Sequence, residues 1–345
     1  MIKVAMFDTK NYDIESFNKE LEEEDKLSFS YFETKLTKDT ASLTSGFDVV
    51  CVFVNDTIDK DVINILIKNN VKLIALRCAG FNNVDLEYCY KRIHVVRVPA
   101  YSPHAVAEHA MALLLTSNRR IHKAYIRSRD YNFSLNNLIG INLYGKTVGI
   151  IGTGKIGKIF IDICKGFGMN VIAYDKFPDL TLDINYVNLD ELYANSDFIS
   201  LHCPLTDENR HMIDSNAINK MKNGVFIINT SRGGLINSFD LLEGIKERKV
   251  GAACLDVYEE ESDVFFQDKS DHILNDDILA RLISMPNVIV TSHQGFLTKE
   301  ALENIAQITI KNITSFIAGE ACENELCYRC EKLGNCKKNR QERCF

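Results

Sequence analysis

The sequence lacks the features that mark several classes of protein. No apolar run approaches the roughly 18 residues of a membrane-spanning helix, which excludes a membrane span. The first residues, MIKVAMFDTK, contain no charged region leading into an apolar signal core, so we expect no export signal. Lysine and arginine are scattered and the net charge is −7, which disfavours nucleic acid as a partner. With no repeat or low-complexity linker either, we expect an ordinary globular protein.

The length and the cysteines narrow this further. A chain of 345 residues is too long for one ordinary core, so two domains are expected. The sequence has 11 cysteines, and six are spread through apolar segments: Cys51, Cys78, Cys89, Cys164, Cys203 and Cys254. Without an export signal, these six are expected to be reduced and mostly buried, as in a cytoplasmic protein.

The first hundred residues alternate short apolar runs with amphipathic segments. The runs predict buried strands at Ile2–Phe7, Val49–Val54, Leu73–Arg77 and Val95–Val98. Between them, segments such as Ile58–Asn69 have helical character. This alternation predicts a parallel sheet covered by helices on both faces.

A second series of strands and helices follows a break at residues 99–103. It starts after a predicted helix over Ala105–Arg120. Six strands are predicted: Val148–Ile151, Asn170–Tyr174, Phe198–Leu201, Val225–Asn229, Ala252–Val257 and Val288–Thr291. Six parallel strands suit a complete dinucleotide-binding domain.

The last helical pattern begins at Thr298 and stops at Gly319. Because no sheet of its own remains for it, we expect the chain to return to the first domain. The predicted organisation is a discontinuous substrate domain of residues 1–100 and 298–326, a cofactor domain of residues 101–297, and a cysteine-rich extension of residues 327–345. The helices near 105–120 and 299–318 would be the two crossings.

A glycine-rich motif lies between the first strand of the second series and a predicted helix over Lys158–Gly166. Gly152 permits the tight turn, Gly154 lets the backbone approach a pyrophosphate, and Gly157 allows close packing of helix and strand. Asp175 ends the next strand, where its carboxylate would accept hydrogen bonds from ribose hydroxyls and repel a 2′-phosphate. The motif therefore predicts NAD rather than NADP, with the neighbouring Lys176 as the one contrary charge.

Three kinds of polar side chain follow the later strands of this domain. Arg232, the glutamates at 259–261 and His293 each come directly after a strand. Ligands of such sheets sit outside the carboxyl ends of the strands, so these side chains should lie near the nicotinamide. Arginine can bind the substrate carboxylate and carbonyl, and histidine can supply a proton near neutral pH. One of the glutamates would orient the imidazole, and spacing does not say which one.

These residues resemble a known family. Ser231-Arg232-Gly233, Asp256-Val257-Tyr258-Glu259 and Ser292-His293-Gln294 resemble the D-isomer-specific 2-hydroxyacid dehydrogenases. Longer stretches, such as ALRCAGFNNVD at 75–85 and PAYSPHAVAEH at 99–109, are similar to the fermentative D-lactate dehydrogenases in particular. The resemblance covers residues 1 to about 326. It implies an α/β protein of two doubly wound parallel-sheet domains, a Rossmann cofactor domain and a flavodoxin-like substrate domain, with an active-site cleft between them.

The resemblance also implies roles for individual residues. His293 would be the acid/base, Glu261 its supporting carboxylate and Arg232 the substrate-binding cation. On the substrate side it implies the backbone amides around Cys78, Ala79 and Gly80, the side chain of Tyr101, and the pocket walls Phe53 and Phe296. On the cofactor side it adds Thr153, Lys155, Ile156, Cys203, Pro204, Thr230 and Asp256 to the glycines and Asp175. It further implies a homodimer or higher homo-oligomer formed through the cofactor domains.

Two alternatives to a D-lactate dehydrogenase stay open. A dehydrogenase for bulkier acids, such as 2-hydroxyisocaproate or phenyllactate, would share the same machinery. A nucleotide-sensing regulator with incidental turnover is the other, and the intact Arg232, Glu261 and His293 count against it.

The C-terminal extension departs from the family pattern. Cys322, Cys327, Cys330 and Cys336 could bind zinc or an iron–sulfur cluster, and Cys344 lies beyond them. The same thiols, surrounded by lysine and arginine, could instead form a redox switch. Incidental cysteines in a disordered tail are the third interpretation.

Overall fold

A computed structural model describes the backbone of residues 1–22, 26–261 and 264–333. The strands are β1 Ile2–Met6, β2 Leu27–Tyr31, β3 Val49–Val52, β4 Leu73–Leu76, β5 His94–Arg97, β6 Thr147–Ile151, β7 Asn170–Tyr174, β8 Asn185–Tyr186, β9 Phe198–Leu201, β10 Val225–Asn229, β11 Val250–Leu255, β12 Val288–Val290 and β13 Glu325–Leu326.

The α-helices are α1 Asn11–Leu21, α2 Lys60–Lys68, α3 Leu86–Cys89, α4 Pro103–Asn118, α5 Ile121–Arg129, α6 Lys155–Gly166, α7 Leu189–Asn195, α8 Ser215–Lys220, α9 Ser238–Lys246, α10 Asp277–Ser284, α11 Lys299–Ile317 and α12 Tyr328–Leu333. Within the described residues, no helix is long and apolar enough to cross a membrane.

The chain divides into two compact units. The first comprises Met1–Ser102 together with the described residues from Leu297 onward, and the second comprises Pro103–Phe296. The sequence analysis placed these two boundaries at residues 100/101 and 297/298.

The sheet of the first unit has the order β2-β1-β3-β4-β5-β13. Strands β1 to β5 are parallel, while β13 pairs antiparallel with β5, so that Glu325 lies opposite Val96. Strands β3 and β4 are buried at every position, since helices cover the sheet. Helix α11 packs on β4, β5 and α1, as the sequence predicted for a helix returning to the first domain. Thr298 caps its N-terminus by accepting from Ala301 N.

The sheet of the second unit has the order β8-β7-β6-β9-β10-β11-β12, and all its strands are parallel. The strand order reverses between β6 and β9, which is where doubly wound sheets bind dinucleotides. Among the described residues the sheet has seven strands, so the expectation of six was wrong. The additional strand is β8, which is too short, at two residues, to form an apolar run in the sequence. Strand β11 runs two residues earlier than expected, and α4 begins at Pro103 instead of Ala105.

Candidate active site

The glycine-rich turn after β6 is packed so tightly that two of its glycines admit no side chain. Gly152 has a φ of +97°, and a Cβ built on it would lie 2.7 Å from the backbone nitrogen of Cys203. A Cβ on Gly157 would lie 2.0 Å from the carbonyl oxygen of Gly152. A Cβ on Gly154 would meet no heavy atom within 4 Å. Internal packing therefore does not explain Gly154, whereas close approach of a pyrophosphate to the first turn of α6 does.

Asp175, at the end of β7, is bound to this turn. Its Oδ2 accepts hydrogen bonds from Thr153 N at 2.6 Å and Thr153 Oγ1 at 3.1 Å, and its Oδ1 accepts from Phe177 N at 2.8 Å. The neighbouring Lys176 forms an ion pair with Glu208. The lysine charge that would favour a 2′-phosphate is thus already partly neutralised by a carboxylate.

A cavity of about 430 Å³ adjoins the turn. It is lined by the turn, by Tyr174, Asp175 and Phe177, and by the residues after β9, among them His202, Cys203 and Pro204. Burial raises the pKa of the Cys203 thiol to about 11, so this cysteine is a neutral part of the wall. Lys155 and Ile156 are the first two residues of α6.

Thr230 follows β10. Its buried hydroxyl has no hydrogen-bond partner among the described residues. An unpaired buried hydroxyl and an uncrowded Gly154 both fit a dinucleotide bound along this edge.

Arg232 stands at the carboxyl end of β10, in a loop pressed against the loop after β11. A Cβ on the next residue, Gly233, would lie 2.0 Å from the backbone carbon of Tyr258. The backbone carbonyl of Arg232 accepts a hydrogen bond from Asn229 Nδ2 at 2.9 Å. The guanidinium of Arg232 donates from Nη1 to Ser231 O at 2.6 Å. As far as the described residues go, the other guanidinium donors stay available for an anion.

His293 and Glu261 form a hydrogen-bonded pair at the same sheet edge. His293 Nδ1 lies 2.9 Å from Glu261 Oε1, and the other carboxylate oxygen accepts from Tyr258 N at 3.0 Å. Both side chains are only about one-fifth exposed, at 18% and 23%. With Nδ1–H donating to the carboxylate, Nε2 is the nitrogen left to exchange a proton.

The other two glutamates of the run have different surroundings. Glu259 accepts from Arg210 Nη2 at 3.0 Å and is bonded to His211. Glu260 is exposed and lines a separate cavity with Lys269 and His272. Of the three, it is Glu261 that lies within hydrogen-bond distance of His293.

In the first unit, the loop after β4 carries Cys78, Ala79 and Gly80. The Ala79 carbonyl accepts from Arg97 Nη1 at 2.8 Å, and the Cys78 thiol donates to Gly80 O at 3.3 Å. The Tyr101 carbonyl accepts from Asn304 Nδ2 of α11 at 2.8 Å.

Phe53 follows β3 and is 9% exposed. Its N–H donates to Asp56 Oδ2 at 2.6 Å, its carbonyl accepts from Asn83 Nδ2 at 2.9 Å, and its ring lies 4.8 Å from the guanidinium carbon of Arg77. Burial raises the pKa of Asp56 to about 6. Phe296, at the end of the second unit, is also buried.

Comparison with known proteins identifies the family. Residues 111–295 match the family model for the NAD-binding domain of D-isomer-specific 2-hydroxyacid dehydrogenases. The chain is 50% identical over 329 residues to the D-lactate dehydrogenase of Escherichia coli, covering 94% of this chain and 100% of that protein. This chain belongs to the D-isomer-specific 2-hydroxyacid dehydrogenases.

Two further relatives agree with this assignment. The dehydrogenase is 51% identical over 330 residues to a 2-hydroxyacid dehydrogenase homolog of Haemophilus influenzae, covering 94% of this chain and 98% of that protein. It superimposes with a TM-score of 0.89 on the pyruvate reductase of Chlamydomonas reinhardtii, at 43% identity over 94% of this chain and 98% of that chain. The fold class and the NAD cofactor predicted from the sequence are confirmed.

The sequence analysis missed two side chains that bind Asp256 of the dehydrogenase. Asp256 Oδ1 accepts from Thr291 Oγ1 at 2.6 Å and lies 3.1 Å from His109 Nε2, while Oδ2 accepts from Gly295 N at 2.8 Å. Burial opposes ionisation of Asp256, but these hydrogen bonds outweigh it and lower the pKa. His293 itself has a φ of +55° and donates from its backbone to Asp256 O at 2.8 Å. The fully bonded Asp256 thus fixes the segment that carries His293.

The C-terminal cysteines of the dehydrogenase are only partly described. Cys322 and Cys327 are buried, and Cys330 is half-buried. Cys336 and Cys344 lie outside the described residues. Among the residues that are described, no group of three or more histidine, cysteine or acidic side chains is placed to hold a metal ion. Metal binding by Cys322, Cys327, Cys330 and Cys336 stays a prediction.

Proposed function

We propose that this dehydrogenase interconverts pyruvate and D-lactate. The observation that carries the proposal is the His293–Glu261 pair, which lies at the same edge of the sheet as Arg232 and the dinucleotide turn. The family relationship supplies the reaction class, and relatives named D-lactate dehydrogenase and pyruvate reductase support the substrate. Bound NADH supplies the hydride. Five of the six cysteines that are spread through apolar segments are buried, which supports a reducing, cytoplasmic location.

The side chains have separate roles in pyruvate reduction. Arg232 binds the keto acid through its carboxylate and carbonyl, because a guanidinium can form two parallel charged hydrogen bonds. His293, protonated at the start, donates from Nε2 to the carbonyl oxygen as that oxygen gains negative charge. Glu261 holds the ring at Nδ1 and stabilises the imidazolium. In lactate oxidation the same nitrogen takes the hydroxyl proton.

Other residues bind and select the keto acid. The amides around Cys78, Ala79 and Gly80 receive its carboxylate, and the Tyr101 side chain donates a hydrogen bond to it. Phe53 and Phe296 limit the size of the substrate side chain. The three contacts that hold Phe53 support a rigid wall, and a rigid wall favours a methyl group over a branched or aromatic one.

The experiment that tests this function measures NADH oxidation with pyruvate, 2-ketoisocaproate and phenylpyruvate. A second assay replaces NADH by NADPH. We expect pyruvate to have the highest kcat/KM, D-lactate as the product, and little turnover with NADPH. A preference for either bulky acid would move the assignment to a dehydrogenase for such acids. Absence of turnover with all three would favour a nucleotide-sensing regulator.

Replacing Glu261 by glutamine tests the role of the carboxylate. The amide retains the size of the side chain and loses its charge, so His293⁺ is less stabilised. We expect kcat for pyruvate reduction to fall about tenfold or more, and its decline with rising pH to begin at a lower pH. Glu260→Gln, one residue away, is the matched control and should leave the pH profile in place. Coinciding pH profiles for Glu261→Gln and the wild type would contradict the role.

The likeness to this family also supports a homo-oligomer, and we assign its interface to α5 and the segment that follows. Helix α5 buries none of its nine residues, yet it carries Tyr125 and Ile126, which are 60% and 59% exposed. The following segment exposes Phe133 and Ile139 at 72% and 90%. A short helix without a fully buried residue is marginal alone, so we expect a second copy of the chain to cover its exposed side chains.

Substitution of this surface gives a direct test. The double variant Ile126→Asp, Phe133→Asp places two charges in the proposed interface, and we expect sedimentation equilibrium to give half the wild-type mass, or less for a larger oligomer. Ile273→Asp introduces a charge at a site that is 89% exposed elsewhere on the second unit, and should not alter the mass. A wild type that sediments as a monomer would disprove the assignment.

A further inference from the structure

Two side chains of the first unit hold successive carbonyl groups of the loop after β4. Arg97, the last residue of β5, donates from Nη1 to the Ala79 carbonyl at 2.8 Å. The thiol of Cys78 donates to the Gly80 carbonyl at 3.3 Å. In a trans peptide the C=O and N–H groups point in opposite directions. Fixing the Ala79 carbonyl therefore fixes the direction of the Gly80 N–H, and fixing the Gly80 carbonyl fixes that of the Phe81 N–H.

Arg97 is itself held independently of this loop. Its backbone N–H donates to Asn324 O at 3.1 Å, and its carbonyl accepts from Asn312 Nδ2 at 2.9 Å. Asn324 and Asn312 are joined by a side-chain hydrogen bond of 2.9 Å. The guanidinium carbon lies 4.9 Å from the centre of the Phe81 ring, within the range of a cation–π contact. The arginine is thus anchored to α11 and to the segment before β13, and the loop is in turn anchored to the arginine.

The N–H groups so directed are available to a ligand. In the described part of the chain, the backbone nitrogens of Gly80 and Phe81 donate to no protein atom. Gly80 and Phe81 are both half-buried, so the loop can reach a bound molecule. Successive backbone N–H groups that donate to no protein atom can bind an anionic oxygen.

We propose that Arg97 is a positioning residue: by holding the Ala79 carbonyl, it aims the Gly80 N–H at the carboxylate of the keto acid. This inference rests on the proposed function, since it concerns the amides that would receive that carboxylate. Arg97 acts on substrate affinity through the loop and takes no part in proton or hydride transfer.

The test compares Arg97→Met with Arg97→Lys in the full-length enzyme. Methionine keeps much of the length of the side chain and cannot donate, whereas lysine keeps one donor that reaches the carbonyl. For Arg97→Met we expect KM for pyruvate to rise about 10- to 100-fold, since a hydrogen bond from a charged donor is lost, with kcat within about threefold of wild type. Arg97→Lys should restore KM to within about threefold of wild type. NADH affinity, measured by its fluorescence, should be the same in all variants.

Arg92 provides a matched control in the same unit. It also donates to a backbone carbonyl, Tyr88 O at 2.9 Å, and its guanidinium carbon lies 4.4 Å from the Tyr88 ring centre. Arg92→Met should leave KM for pyruvate unchanged.

The possible outcomes separate the inference from the proposed function. Lack of pyruvate reduction by the wild type would refute the function, and this inference with it. An active wild type whose KM is unaltered by Arg97→Met, or in which kcat alone falls, would overturn the inference and leave the function standing. If thermal melting shows that Arg97→Met is unfolded, Arg97→Gln takes its place, because glutamine is too short to reach the carbonyl and should raise KM in the same way.

Discussion

Replacement of His293 by glutamine is expected to lower kcat for pyruvate reduction about 100- to 10,000-fold, the range that a general acid contributes. Glutamine fills similar space and can donate a hydrogen bond, but it cannot deliver a proton to the developing alkoxide. The substitution leaves the glycine turn and Asp175 untouched, so NADH should bind as tightly as in the wild type. Steady-state turnover and NADH fluorescence titration measure the two quantities separately.

The pH dependence of the residual activity sharpens this test. Wild-type pyruvate reduction should fade as pH rises and His293 loses its proton, whereas the glutamine variant should show no such decline. His272→Gln is the control, because His272 lines a separate cavity with Lys269 and Asp276. A His293→Gln enzyme that retains more than a tenth of wild-type kcat would remove His293 from the mechanism.

Replacement of Arg232 by glutamine is expected to lower kcat/KM for pyruvate about 100- to 1,000-fold. A charged donor facing a desolvated carboxylate contributes this much when it is removed. Among the described residues, the guanidinium donates only to Ser231 O. The loss should therefore come from substrate binding and from stabilisation of the carbonyl oxygen, with little effect on folding.

Arg232→Lys separates charge from geometry. Lysine keeps the positive charge and loses the paired donors, so its kcat/KM should lie between those of the wild type and the glutamine variant. Arg281→Gln, on α10, is the control and should be fully active. A lysine variant with the kcat/KM of the wild type would disprove a bidentate interaction at Arg232. A glutamine variant with the kcat/KM of the wild type would disprove any role of Arg232 in substrate binding.

Much of the fold was predictable because most strands are continuous apolar runs. Strands β7, β9 and β10 have the expected bounds, and α11 begins and ends at the residues that Thr298 and Gly319 indicated. The missed strands have weak local signals. β2 has the sequence LSFSY, in which serine interrupts the apolar run, while β8 and β13 contain two residues each and exist only through their neighbours.

The candidate site divides in the same way. The positions of Arg232 and His293 after strands are local properties of the sequence, so both could be predicted. The choice among Glu259, Glu260 and Glu261 could not be made from spacing, because it depends on which carboxylate the fold turns toward His293. The bonds from His109 and Thr291 to Asp256 join residues 147 and 35 positions apart, and no local pattern reports such a contact.

The antiparallel pairing of β13 with β5 has a consequence for biosynthesis. The first unit begins to leave the ribosome first, yet α11 and β13, which cover β4 and complete the sheet beside β5, are translated only after the whole second unit. At ~5–20 residues per second, this leaves an edge strand and an apolar face of the nascent first unit uncovered for tens of seconds. The second unit, whose elements are contiguous in the chain, can fold during that interval. We therefore expect the nascent amino-terminal segment to need protection by chaperones during translation.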